Sequence, residues 1–260
     1  MPKIAISGKG GVGKTTLAGM LARQYATEGA PVLAIDADPD ANLASSLGVP
    51  PELAATITPI AEMEELIEER TGARPGSSGA YFRLNPKVDD LPDRYALHHE
   101  GVRLMVMGTV DRGGSGCVCP ENVLLKTLVT HVLIQREDTL IMDMEAGVEH
   151  LGRGTADSVD AMIVVVEPGQ RSVQTAHHVA RLAQDLGIHR CFVVGNKVRD
   201  DRDREFIREQ VAPLPVLGFM SYNPAVAEAD LAGRSPYGTD PLLEAEVQGI
   251  RKRLAELQGR

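Results

Sequence analysis

Seven short runs rich in Val and Ile punctuate the chain: "KIAIS" (3–7), "PVLAID" (31–36), "VRLMVM" (102–107), "TLIMD" (139–143), "AMIVVVE" (161–167), "CFVVGN" (191–196) and "LPVLGF" (214–219). Their apolar character is nearly continuous. That predicts strands buried on both faces, and so a mainly parallel sheet. Helical patterns fill many of the gaps, over 14–28, 121–135, 171–186 and 240–257, with Gly29 and Gly187 as stops. Strand and helix alternating on this scale predict a doubly wound α/β fold, whose binding loops lie at the carboxyl ends of the strands.

Residues 71–100 break the rhythm: Gly, Pro and Ser interrupt them and no period dominates. The stretch is too short for a domain and long for a plain connection, so an insertion or lid is expected. At 260 residues, one domain spanning 1–260 is the expectation. Leu243, Val247, Ile250, Leu254 and Leu257 recur at three- and four-residue spacing. They predict a terminal helix docked on that domain, the alternative being a membrane-targeting helix.

Composition narrows the functional classes. A net charge of −9 argues against broad binding to nucleic acid or an anionic membrane. A strand-like run starts at once, no run approaches the ~20 apolar residues of a membrane span, and the cysteines number three. A reducing cytoplasm is therefore the expected location.

"GKGGVGKT", residues 8–15, matches G-x-x-x-x-G-K-[ST] through Gly8, Gly13, Lys14 and Thr15, between a strand and an amphipathic helix. In such a loop the backbone N–H groups of Gly8, Lys9, Gly10, Gly11, Val12, Gly13, Lys14, Thr15 and Thr16 cradle the phosphates of ATP or ADP. The helix N-terminus adds positive potential. Lys14 reaches the β- and γ-phosphates and the Thr15 hydroxyl binds Mg²⁺. Lys9 is extra: it either serves a facing subunit's nucleotide or is a solvated lysine, and spacing alone does not choose. Asp143 ends "TLIMD", where a strand-end carboxylate holds Mg²⁺ directly or through water. Asp38, in "LAIDADPDAN", is placed to orient an attacking water. Asp36 is as well explained by loop or helix capping. Asn196 ends "CFVVGN", where its amide can pair with adenine.

The stretches "KGGVGKTT", "DADPDANL" and "DMEAG" resemble the deviant P-loop ATPases related to MinD, ParA and the nitrogenase iron protein, over essentially the whole chain. The resemblance implies a P-loop NTPase fold and an ATP-sandwich homodimer. In that dimer Lys9 reaches the partner's nucleotide, Asp38 and Asp143 sit in two switch segments and Asn196 contacts adenine. "DMEAG" stands where Asp-x-Pro-Ala-Gly is more usual, which leaves the conformation around Glu145 open.

Cys117 and Cys119 lie one residue apart in "GGSGCVCPEN", in a loop over 108–119 that should leave the nucleotide side of the sheet. Pro120 suits the first position of a helix. Cys119 then becomes its N-cap, where the helix dipole favours thiolate. Two sulfurs are half a tetrahedral site, and a twofold axis would supply four to Zn²⁺ or Ni²⁺. The competing reading is a redox pair, although a C-x-C disulfide closes a small, strained ring. Cys191 reads as a buried strand residue, and His98, His99, His131 and His150 lack ligand spacing. The stretches "GCVCPENVLLKTLVTHVL", "DMEAGVEHLGRGT" and "VVVEPGQRS" resemble one branch of the family, the carbon monoxide dehydrogenase accessory ATPases that support nickel insertion. That implies a Mg²⁺-dependent ATPase and metallochaperone with the apo-dehydrogenase as client, and neither nucleic acid nor membrane as partner. The rival classes are a positioning ATPase acting at a membrane or on DNA, and an iron–sulfur electron-transfer ATPase.

Overall fold

The computed structural model describes residues 1–76, 81–109, 119–148, 151 and 155–258. Eight strands form one sheet: β1 (Lys3–Gly8), β2 (Val32–Ala37), β3 (Leu97–His99), β4 (Val102–Val106), β5 (Thr139–Met144), β6 (Ala161–Val166), β7 (Cys191–Val198) and β8 (Val216–Ser221). Their spatial order is β3-β4-β2-β5-β1-β6-β7-β8. All seven runs read from the sequence are strands, and every pairing among them is parallel.

Continuous apolarity has a direct packing cause. Along β2, Val32 and Ala34 face one core while Leu33, Ile35 and Ala37 face the other. The first core is closed by α1 (Lys14–Thr27) and by the terminal helix Pro241–Gln258. Leu243, Val247, Ile250 and Leu254 of the terminal helix are buried there, with Leu257 packed against them. The amphipathic face is therefore spent on the sheet. Among the described residues no helix is long and apolar enough to cross a membrane. The second core lies under the helices Pro120–Ile134 and Gln170–Leu186.

The stretch 71–100 holds more order than its composition suggests. It contains a short helix, Leu91–Tyr95, and the edge strand β3, which runs antiparallel to β4 with His98 opposite Arg103. Three residues with two histidines carry no apolar run, so β3 leaves no periodic signal in the sequence. Arg70 donates to both carboxylate oxygens of Asp90 at 3.0 and 2.8 Å, tying the stretch to the preceding helix. That guanidinium holds the Asp90 carboxyl down at about 2.

Parallel strands put their carboxyl ends on one edge. The loop after β1, the segment after β2, the segment after β5 and the start of the loop after β4 all leave from it. In the sheet order β4 lies three strands from β1, about 14 Å at ordinary strand spacing.

Candidate functional site

The loop after β1 turns on residues that only glycine serves. Gly8 has φ 150°, and a Cβ there would meet the Val165 carbonyl at 2.6 Å. Gly13, the N-cap of α1, is left-handed at φ 95°. A Cβ on it would collide with the Asn196 amide. Val12 is fully buried in the core beneath the loop, anchoring its middle. No acidic residue occupies the first turn of α1, so the positive end of the helix is open to an anion. A Cβ on Gly10 or Gly11 would meet nothing within 4 Å, so the backbone there stays approachable.

The charged side chains converge on this loop. Lys14 is nearly buried, and its ammonium lies 3.2 Å from Asp38. Thr15 donates from its hydroxyl to Asp143 Oδ2 at 2.6 Å. The other oxygen, Asp143 Oδ1, is buried without a hydrogen-bond partner among the described residues. A hydroxyl beside a carboxylate with an unsatisfied buried oxygen is a donor set that suits Mg²⁺. Lys9 is exposed at the rim, with its ammonium 4.0 Å from Glu167. Asn196 donates to the Val12 carbonyl at 2.7 Å and accepts from the Lys197 N–H at 2.7 Å. An amide offers two N–H groups and two lone pairs, so one of each remains.

A cleft of about 590 Å³ opens over the loop. Gly10, Gly11, Gly13, Lys14, Thr15, Thr16, Asp38 and Asn196 line it. Tyr222, Asn223 and Val226, from the segment after β8 and the helix Pro224–Leu231, add a further wall. Sequence reading missed that wall, since nothing in "SYNPAV" marks it before the fold brings it round. It also missed Ser7, whose hydroxyl donates to the Glu145 carbonyl at 2.7 Å. That bond, with the Gly147 N–H on the same carbonyl at 2.7 Å, settles the conformation around Glu145.

Asp36 proves to be a tether. It is fully buried, accepting from the Leu43 N–H at 2.8 Å and the Asp38 N–H at 3.2 Å. It thereby fixes both ends of the segment that carries Asp38. Asp36 and Asp143 are opposite each other on β2 and β5. Burial pushes Asp36 up to about 7, with the Asp143 charge adding to the rise. Burial likewise pushes Asp143 up to about 6. A carboxyl that holds its proton more tightly folded than unfolded loses stability as pH rises from the usual carboxylate range through the folded value. The nucleotide-free chain is therefore expected to lose urea resistance from pH ~4.5 to ~7.5. Asp36→Asn should flatten that slope, and an equally steep slope in the variant would contradict the assignment.

The thiol loop is seen at its end. Cys119 is the N-cap of the helix Pro120–Ile134, as expected, and is almost wholly buried. Cys117 and His150 lie outside the described residues. Among the described residues there is no group of three or more His, Cys, Asp or Glu arranged to hold a metal. Cys191 starts β7 opposite Met162, and burial pushes its thiol up to about 11, which suits a core residue and not a ligand.

Comparison with known proteins agrees with this geometry. The carbon monoxide dehydrogenase accessory protein CooC of Rhodospirillum rubrum is 47% identical over 257 residues, covering 99% of this chain and 97% of its own. An uncharacterized ATP-binding protein of Methanocaldococcus jannaschii is 43% identical over 98% of each chain. Among solved structures, the septum site-determining protein MinD of Pyrococcus horikoshii, complexed with Mg-ADP, shares the fold. Its TM-score is 0.68 at 20% identity, over 100% of this chain and 98% of that one. The model of the CobQ/CobB/MinD/ParA nucleotide binding domain matches residues 3–237. With its phosphate loop, strand-end carboxylates and parallel sheet, this chain belongs to the CobQ/CobB/MinD/ParA nucleotide-binding domain family.

Proposed function

We propose that the protein is a Mg²⁺-dependent, homodimeric ATPase that supports nickel insertion into carbon monoxide dehydrogenase. In this reading it carries the ion on thiolates shared between two copies. The observation that carries the proposal is the likeness to CooC over nearly the full length of both chains. The Cys117-x-Cys119 pair adds to it.

The residues divide the work. The loop from Gly8 to Thr16 receives the phosphates on its N–H groups, and Lys14 leaves Asp38 to meet the β- and γ-phosphates. Thr15 and Asp143 are the residues that would hold Mg²⁺, Asp143 directly or through water. The bound ion neutralises charge that develops on the phosphates. Once separated from Lys14, Asp38 is free to accept a hydrogen bond from the attacking water. Lys9 leaves Glu167 for the nucleotide of the facing copy, and Asn196 offers its remaining N–H and lone pair to adenine.

Nickel is the cargo. Zn²⁺ fits the same four thiolates tetrahedrally, whereas Ni²⁺ takes thiolates in a more planar set. ATP draws the copies together through Lys9 and Lys14, which changes the spacing of the two thiol loops. Hydrolysis relaxes the pair and releases the ion to the apo-dehydrogenase.

Metal analysis joined to sizing, with and without ATP, tests the proposal. The expected result is one Ni²⁺ or Zn²⁺ per two chains, in a dimer, with occupancy that depends on nucleotide. One metal per chain in a monomer would overturn it.

A further inference from the structure

We infer that Lys197 is a positioning residue for nucleotide binding, holding the phosphate loop in its receptive shape together with Asn196. The inference rests on the reading of that loop as the ATP site. Its ground is an irregularity at the end of β7.

Successive residues of a strand point to opposite faces. Asn196 and Lys197 are adjacent in β7, yet both reach the same loop. Asn196 donates to the Val12 carbonyl at 2.7 Å, and the Lys197 ammonium donates to the Gly11 carbonyl at 2.6 Å. Two backbone features make this possible. Lys197 is left-handed at φ 56°, a rare conformation for a residue with a side chain. The pairing of β7 with β8 also slips between Gly195 and Val198. Such a bulge bends a strand and re-aims a side chain. The Lys197 N–H, donating to Asn196 Oδ1 at 2.7 Å, closes the bend. Strain of this kind persists where surrounding contacts enforce it, and such residues cluster at ligand sites.

The two carbonyls are consecutive, and that matters for the amides. In a trans peptide unit the C=O and the next N–H point opposite ways. Drawing the Val12 carbonyl toward β7 turns the Gly13 N–H away from it, toward the phosphate side. Drawing the Gly11 carbonyl the same way sets the Val12 N–H, which closes a turn on the Lys9 carbonyl at 3.3 Å. Lys197 thus helps to shape the turn that presents Lys9. Its own ammonium is steadied by Glu167, 3.2 Å away, at the end of the neighbouring strand β6. The Lys197 side chain is 42% exposed, so its ammonium can be removed without opening the core.

Lys197→Met keeps the stem and removes the donor. Losing a charged hydrogen bond to the loop is expected to raise the KM for ATP roughly ten-fold. The fall in kcat should be smaller than the rise in KM, since the group acts before chemistry. The nucleotide-free unfolding midpoint should stay near that of the unmodified chain. Equilibrium ATP titration, steady-state kinetics and thermal unfolding of the full-length protein read these quantities. An unchanged KM, or losses in KM and kcat that follow a lowered unfolding midpoint, would overturn the inference. If the unmodified chain bound no ATP, the reading of the loop as a nucleotide site would fail first, a separate outcome.

Discussion

Lys9→Ala is expected to slow ATP turnover by about 10³-fold or more while changing nucleotide affinity little. A cation supplied to the transferring phosphoryl group from a facing subunit contributes on that scale in related systems. The structure separates Lys9 from Lys14 in a way that makes the variant clean. Lys14 is nearly buried and paired with Asp38, so its loss should remove binding and turnover together. Lys9 sits at the rim with its side chain 41% exposed, 4.0 Å from Glu167. A surface pair of that length contributes little to stability. Lys9→Ala should therefore fold and bind ATP. Mixing it with Lys14→Ala provides a sharper test. A mixed dimer pairs an intact Lys14 on one copy with an intact Lys9 on the other, so mixing should restore part of the turnover. No recovery on mixing, or equal loss of binding and turnover in Lys9→Ala alone, would argue against action across the dimer.

The second large effect concerns the thiols. Cys119→Ser is expected to abolish metal-promoted dimerisation and leave ATP binding by the single chain intact. Serine is itself a good N-cap, so the helix Pro120–Ile134 should keep its start. What disappears is the proposed sulfur ligand, and a hydroxyl is a poor substitute toward a thiophilic ion. Cys117→Ser should behave alike, since in the proposed site each copy contributes both sulfurs. Cys191→Ser serves as the control. Its thiol is pushed up to about 11 by burial in the strand layer, so metal content should not change. Retained metal stoichiometry in Cys119→Ser would remove the shared site.

The division between sequence and structure follows from how local each signal is. The phosphate loop was legible because its chemistry depends on glycines and a lysine at fixed spacing within one turn. The buried strands were legible because a sheet covered on both faces demands apolar residues at nearly every position. The Cys119 cap was readable from Pro120 and the apolar face after it. For Asp36 the sequence left loop or helix capping open beside a catalytic station, and only the fold decides for capping, because its partners are the N–H groups of Asp38 and Leu43, which the segment must fold back to present. Lys197 was hidden for a related reason. Strand alternation would have turned it away from Asn196, and only the left-handed residue and the slipped pairing bring both to one loop.

The sequence by itself determined which groups the protein carries: a phosphate loop, two strand-end carboxylate stations and a C-x-C pair, on elements whose apolar periods specify a parallel sheet. The tertiary structure alone decided which of them meet. Asp36 stands opposite Asp143 because β2 and β5, far apart in the chain, are neighbours in the sheet. Glu167, Asn196 and Lys197 converge on residues 9–12 because β6 lies beside β1 and carries β7 with it. Period and spacing are properties of neighbours along the chain. Register and strand order are set by packing both faces of the sheet at once, and no single segment encodes them.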